Sequence, residues 1–430
     1  LIRKEGPIKI NSEFRRLLDF LEKEDDHIFL TGKAGTGKST LLRLFVQTTG
    51  RKVVVVAPTG VAALNAGGQT IHSFFRFPPR LLDQSQIKTL RNRKIYEKMD
   101  MLIIDEISMV RADLMDHIDY FLRINRQDAR PFGGVRLLMI GDLFQIPPVV
   151  PREEGQYLAQ QGYETPYFFS ANVWQRDAGF QYVELYEVFR QRHLGFIKLL
   201  DQIRDGEADY DLLEELNARV ATSEPPRPYI TLTAFNKVAV EMNRQRLQEI
   251  VSPAMHYTGK IEGMFPEQIT PSPIQLEFKI GAQVMILKND PEQAYVNGSI
   301  GVITKMEKDN ITVFLDEMGK EKEVKIERHE WEINKYDIAP DNQITTKKIG
   351  SFTQFPLKLS WAITIHKSQG KTFDRIYVDL GKGAFAPGQT YVALSRARTI
   401  DGVFLRRPMT PKDIFIDPAI VEAVSQMKRY

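Results

Sequence analysis

Apolar positions along the chain follow two rhythms. Short runs dense in aliphatic and aromatic residues, at His27 to Thr31, Val53 to Ala57, Met101 to Ile104, Val135 to Ile140 and Gln181 to Leu185, are separated by stretches with helical spacing. Strands that alternate with helices predict a parallel sheet covered on both faces. A second set begins with Tyr229 to Ala234, which leads into helical Lys237 to Ile250, and continues with Arg375 to Leu380 leading toward Thr390 to Arg398. It predicts a second α/β core. Between the two parts of that set, residues 275–349 change to alternating runs at Ala282 to Leu287, Ser299 to Thr304, Ile311 to Leu315 and Glu323 to Ile326. With turn signals at Asp309-Asn310 and Met318-Gly319, they predict a small antiparallel β-barrel inserted in the second core. Three prolines within Ser223 to Pro228 mark a connection near the domain boundary.

Composition narrows the class without choosing the chemistry. The chain has 430 residues, 43% hydrophobic and 26% charged, enough for two or three domains with cores of their own. No apolar run reaches the ~20 residues of a membrane span, and Leu1 to Ile10 lacks the apolar core of a signal peptide. A soluble, intracellular protein without a membrane partner is expected. Leu1 is not an initiator methionine, which leaves room for an upstream extension. The absence of cysteine excludes disulfides and thiol chemistry, and the seven histidines are scattered without ligand spacing, so any metal should be oxygen-ligated. A net charge of +3 is too small to announce a nucleic-acid partner.

The chemistry begins at Gly32-Lys33-Ala34-Gly35-Thr36-Gly37-Lys38-Ser39, which matches G-x-x-x-x-G-K-[ST] between a predicted strand and the helical run Thr40 to Val46. Small residues let backbone N–H groups approach phosphate oxygens, Lys38 reaches the outer phosphates, and Ser39 can ligate Mg²⁺. ATP is therefore the expected ligand of Gly32 to Thr40. Asp105 and Glu106 follow the third apolar run, where carboxylates serve a bound Mg²⁺ and an attacking water. Asp105 is assigned to the metal and Glu106 to the water, against the alternative of a solvated turn. The fourth run leads to Gly141-Asp142-Leu143-Phe144-Gln145-Ile146-Pro147-Pro148, in which Gln145 is placed to sense the γ-phosphate. Near the end, Tyr391 to Arg398 carries Arg396 and Arg398. A supplied arginine accelerates phosphoryl transfer by about 10³ to 10⁵, and the second core has no G-K-[ST] of its own. It reads as a partner that closes over the first core's nucleotide.

The ordered set Gly32 to Thr40, Ala57-Pro58-Thr59-Gly60-Val61-Ala62-Ala63, Ile104 to Val110, Gly141 to Pro148, Val188-Phe189-Arg190-Gln191, Ile365-His366-Lys367-Ser368-Gln369-Gly370 and Tyr391 to Arg398 resembles superfamily 1B helicases. Within these it is similar to the PIF (petite integration frequency) DNA helicases. The run from Glu106 to Val110, continuing through Leu114 to Arg123, separates it from the RecD-like relatives. The resemblance implies two tandem RecA-like P-loop NTPase cores: 1–187 with a small wedge insertion near 74–98, and 188–274 with 350–430, interrupted by the barrel at 275–349. It implies ATP and Mg²⁺ in the cleft, and single-stranded DNA, including junctions and G-quadruplexes, as partner. It also implies 5′-to-3′ movement, a role in genome maintenance, repair or telomere upkeep, and a chain that is monomeric when free. By match, Gln145 couples nucleotide state to movement, and Arg190 and Arg396 approach the γ-phosphate. The family reads adenine with a Gln ahead of the phosphate loop, whereas the first Gln here is Gln47.

A sequence-tolerant strand binder needs backbone contacts and flat groups for bases. Thr59, Gly60, His72, Phe74 and Phe75 follow the second predicted strand, Phe144 and Pro147 follow the fourth, Thr233 and Asn236 end a strand of the second core, and His366 and Ser368 complete a similar edge. Core packing is the competing role for each Phe. The basic stretch Arg76 to Lys98 fits a solvated helix as well as a duplex contact. Asn334-Lys335-Tyr336-Asp337 matches the N-K-x-D guanine motif but lies inside the predicted β insertion, so a GTPase is the weaker reading. An RNA translocase would share the ATP site, and a purely binding module would leave that site without a purpose.

Overall fold

The computed structural model describes residues 11–78, 80–176, 179–191, 193–292, 294–317 and 320–427. Of the expected features, the Met318-Gly319 turn lies outside these residues. The chain divides into two compact units, one built from Ile10–Phe189, Ile333–Ile349 and Asp417–Tyr430, the other from Arg190–Glu332 and Gly350–Ile416. The first therefore takes a short piece of chain from within the region read as the β insertion. One break between the units falls after Phe189.

The first unit is organised by β1 (Ile28–Gly32), β2 (Val53–Ala57), β3 (Gln69–Thr70), β4 (Met101–Asp105), β5 (Arg136–Ile140) and β6 (Gln181–Leu185). They form one parallel sheet in the order β3-β2-β4-β5-β1-β6. Every residue of β1 and β5 is buried, as strands covered on both faces require. The helix Ser12–Lys23 starts where the Asn11 side chain accepts the Phe14 N–H at 2.7 Å. Its buried Phe14, Leu17, Phe20 and Leu21 form one stripe, packed with Leu41, Leu42 and Phe45 against β1. Each such large apolar side chain contributes about 1.5–3 kcal/mol through burial.

The second unit carries a parallel sheet of β7 (Ile230–Thr233), β8 (Ala362–Thr364), β9 (Ile376–Asp379) and β10 (Val403–Leu405), in the order β8-β7-β9-β10. Between β7 and β8 the chain builds antiparallel structure. Lys320–Glu327, Asn310–Glu317, Ile300–Met306, Gln283–Ile286 and Leu357–Leu359 lie side by side in that order. Their inward residues, among them Val284, Ile303, Val313, Leu315 and Ile326, close a separate core with Phe278 and Phe355. Two smaller antiparallel sheets, Ala254–Thr258 with Gln275–Lys279 and Lys260–Gly263 with Ile344–Gln354 and His329–Ile338, complete it.

The piece Ile333–Ile349 is held in the first unit by specific contacts. The Val55 N–H donates to the Tyr336 hydroxyl at 2.9 Å, and the hydroxyl donates back to the Val55 carbonyl at 3.3 Å. Gln69 Nε2 donates to the Asn334 carbonyl at 2.8 Å. The N-K-x-D run thus lies on a β-strand, with Asn334 and Tyr336 engaged in holding the edge of the first sheet.

Candidate active site

The phosphate loop joins β1 to the helix Lys38–Thr48, and its shape depends on three glycines. Gly32, Gly35 and Gly37 have φ of +153°, +88° and +84°. A Cβ on Gly32 would meet Thr36 Oγ1 at 2.7 Å and the Leu185 carbonyl at 2.8 Å, and one on Gly37 would meet the Phe14 ring at 2.9 Å. Gly37 stands at the N-cap of the helix and supplies no side-chain cap, so this terminus is suited to an anion. Thr36 Oγ1 donates to the Lys33 carbonyl at 2.9 Å and closes the loop. The Lys38 ammonium donates to the carbonyls of Gly32 at 2.6 Å and Lys33 at 3.1 Å.

Two strands of the same parallel sheet, β4 and β5, deliver the rest. Asp105 ends β4, in register with Ile140 at the end of β5, which pairs in turn with β1. Burial and the adjacent Glu106 carboxylate hold the Asp105 carboxyl above the usual carboxylate range, opposed by the Glu106 N–H at 3.0 Å and by the charge of Lys38. Glu106 has φ +53°, a left-handed conformation that costs a non-glycine residue about 1–2 kcal/mol. After β5, the buried Asp142 gathers the turn: its Oδ1 accepts the Phe144 N–H at 3.2 Å and its Oδ2 accepts from Gln145 Nε2 at 3.1 Å. Sequence reasoning singled out Gln145 and passed over Asp142, the residue that orients it. Its signal was the Gly-Asp pair directly after an apolar strand.

In the second unit, Arg190 and Arg396 meet at one residue. Arg190 Nη1 donates to the Ser395 carbonyl at 3.1 Å, and Arg396 Nη2 donates to the Ser395 hydroxyl at 2.7 Å. Gln191 Nε2 bridges the Ser395 and Ala397 carbonyls. Burial lowers the Arg190 pKa to about 10. Arg396 is 1% exposed and also donates through Nε to the Val392 carbonyl at 2.8 Å. Arg398 faces outward and pairs with Asp374 at 2.9 Å.

The expected DNA contacts divide by burial. Phe74 and Phe75, expected as stacking platforms, are core residues with 5% and 1% exposure. Tyr96 and Tyr336 pack on Phe74, while Phe77 and Phe121 pack on Phe75. The side chains of Phe144, Thr233 and Ser368 are likewise enclosed, at 9%, 2% and 0%, and the Ser368 hydroxyl donates to the Ile365 carbonyl. They present little side-chain surface to a strand. Thr59 caps the helix Gly60–Ala66 by accepting the Ala62 N–H. His72 and His366 are partly buried, and burial lowers the pKa of each. Pro147 is half-buried beyond β5. Asn236 is exposed beyond β7, where its Oδ1 accepts from Lys367 Nζ at 2.9 Å.

Comparison with known proteins gives a consistent answer. A family model described as PIF1-like helicase matches residues 10–212. The ATP-dependent DNA helicase Pif1 of Bdellovibrio bacteriovorus is 32% identical over 434 residues, covering 98% of this chain and 93% of that protein. The human ATP-dependent DNA helicase PIF1 is 34% identical over 94% of this chain, which spans 61% of the human protein's length. Among solved structures, Bacteroides Pif1 in complex with ADP-AlF4 superposes with a TM-score of 0.89 at 38% identity, covering 97% of both chains. The same protein bound to single-stranded DNA gives 0.68 at 38% identity and 97% coverage of both chains. A RecA-like helicase fold, a complete phosphate loop with its two carboxylates, and identity along nearly the whole chain agree: the chain belongs to the PIF1-like helicase family.

Proposed function

We propose that this chain is an ATP-dependent DNA helicase that moves 5′ to 3′ along single-stranded DNA and opens duplex, junction or G-quadruplex structures in genome maintenance. The observation that carries this reading is the convergence of Lys38, Asp105, Glu106 and Gln145 at the carboxyl ends of three adjacent parallel strands in a chain of this family. That edge is where α/β sheets bind nucleotides.

Lys38 contacts the outer phosphates, and the backbone from Ala34 to Thr40 cradles them. The Ser39 hydroxyl and the Asp105 carboxylate are the donors for Mg²⁺. A half-buried carboxylate beside a second one, whose charged form is disfavoured, suits that oxygen-loving ion. When bound, the ion offsets phosphate charge. Glu106 orients the attacking water and accepts its proton, and Gln145, held by Asp142, responds to the γ-phosphate. Arg190 and Arg396 stabilise the charge of the transferred phosphoryl group. The antiparallel region between β7 and β8 serves as the family's barrel insertion, and residues 74–98 as its wedge. Thr59, Gly60, His72, Pro147, Asn236 and His366 line the strand path.

ATP turnover measured with single-stranded DNA, with RNA and with no polymer tests the substrate, followed by unwinding of 5′- and 3′-tailed duplexes. DNA stimulation and selective opening of the 5′-tailed duplex are expected. Stimulation by RNA alone would favour a translocase on RNA, and no stimulation by either polymer would overturn the reading.

A further inference from the structure

With Phe74 and Phe75 in the core, the second unit offers flat aromatic surface of a different kind. Phe235 follows β7 at the N-cap position of the helix Asn236–Gln248, and Phe385 follows the neighbouring strand β9. Their rings are stacked, with centroids 5.3 Å apart and planes 18° from parallel. Both are open to solvent, at 55% and 54% exposure. The near-parallel pairs Phe75–Phe77, Tyr167–Phe169 and Trp331–Phe352 each have at least one buried ring. The Phe235–Phe385 stack is thus a surface feature, not a piece of core.

The segment bearing Phe385 is also fixed. The Phe385 N–H donates to Oε1 of the fully buried Gln389 at 3.0 Å, and the Ala384 N–H donates to Asp413 Oδ1 at 3.1 Å. Asp413 is itself clamped by Arg407, through Nη2 at 2.6 Å and Nη1 at 3.0 Å, and by the Thr410 N–H at 2.9 Å. Two rings on anchored backbone, at the carboxyl edges of two paired parallel strands, form a preorganised surface where such sheets take ligands. Exposed Lys237 stands on the Phe235 segment, and exposed Lys367 follows β8, the strand paired with β7 on its other side, where Asn236 holds the Lys367 ammonium. Flat apolar rings flanked by cations suit a nucleobase with its phosphates, because every base has a face to stack while the charges accept any sequence.

We propose that Phe235 and Phe385 form a nucleobase platform, on which one base of the bound single strand continues the aromatic stack. This inference rests on the strand-binding reading above. It also goes beyond the contacts expected from the sequence, none of which included either residue.

The test uses the full chain and a single-stranded oligonucleotide in which one abasic site is moved along the strand, with affinity read by fluorescence anisotropy. Phe385→Ala should weaken binding of the intact strand by about 5- to 100-fold, the range for loss of one base–aromatic stack, while ATP turnover without DNA is unchanged. At one abasic position the wild type should lose the same factor and Phe385→Ala should lose nothing further. Phe385→Trp should restore affinity, and a base seated on it should quench its fluorescence. Wild-type affinity in Phe385→Ala, or identical abasic profiles in the two proteins, would overturn the platform and leave strand binding intact. Failure of the wild type to bind any single strand would overturn the strand-binding reading and the platform together.

Discussion

The Lys38 ammonium lies 2.6 Å from the carbonyl oxygen of Gly32, so the loop's cation is held by the loop's own first residue. A phosphate entering the loop finds the charge already inside it. Lys38→Ala should therefore reduce DNA-stimulated ATP hydrolysis by at least about 100-fold, as loss of a preorganised charge-stabilising group does. Single-strand affinity, measured without nucleotide, should stay within about twofold of wild type, since no strand residue is altered. Normal turnover in this variant would remove the loop from the reaction.

Asp142 offers a way to loosen Gln145 without touching it. In Asp142→Ala the Gln145 amide loses its carboxylate, a charge-assisted bond worth about 1.5–3 kcal/mol. DNA-stimulated kcat should fall about 10- to 100-fold, while nucleotide affinity, read by a fluorescent analogue, changes little. An equal loss of affinity would show that Asp142 shapes the pocket itself.

Arg396 has structural and chemical duties that two substitutions can separate. Arg396→Ala removes the donor to the Ser395 hydroxyl and one of the donors to the Val392 carbonyl, which keeps the Ser395 hydroxyl at 3.1 Å, and empties a buried place, so it should destabilise the chain by about 2–4 kcal/mol. Arg396→Lys keeps the charge but not the planar fork. If Arg396 acts on the transferred phosphoryl group, the lysine variant should recover much of the thermal stability. Its turnover should remain depressed by about 10³-fold or more, with nucleotide affinity nearly intact. Loss of affinity alone would make it a binding residue.

His27 predicts a pH dependence of stability. Burial, then the charge of Arg136, lowers its pKa from 6.5 to about 4, and its neutral Nδ1 accepts the Leu137 N–H at 3.1 Å. A base with a depressed folded pKa contributes its full stability above the unfolded value. That contribution declines as pH falls from 6.5 toward 4, in total by about 3 kcal/mol. Chemical denaturation at pH 7.5 and pH 4.5 should show this loss in the wild type. The difference should shrink in His27→Gln, whose amide can accept the same bond without titrating.

The nucleotide machinery was legible because each part is local. A glycine loop between a strand and a helix, carboxylates ending a strand and a glutamine just past another are read from a few consecutive residues. The burial of the aromatic residues was not legible, for the opposite reason. Phe74 and Phe75 follow a strand as a stacking residue should, but their burial is decided by Tyr96, Phe121 and Tyr336, which are distant in sequence. Phe235 and Phe385 were missed because their pairing depends on β7 lying beside β9. Strands as short as Gln69–Thr70, Ala362–Thr364 and Val403–Leu405 offer too few positions for any period to show. The alternating runs did predict antiparallel strands, but which unit the piece Ile333–Ile349 joins depends on the Tyr336 hydroxyl finding Val55.

Because of that last attachment, the nucleotide-binding unit is not one continuous piece of chain. A fragment ending at Phe189 would carry every phosphate-loop residue, yet it would lack Tyr336 and Asn334. The Val55 N–H and carbonyl and the Gln69 amide would then lose their partners at the edge of the sheet. Exposed strand edges invite pairing with other chains. A fragment cut at Phe189 therefore carries an open sheet edge that Tyr336 and Asn334 engage in the whole chain.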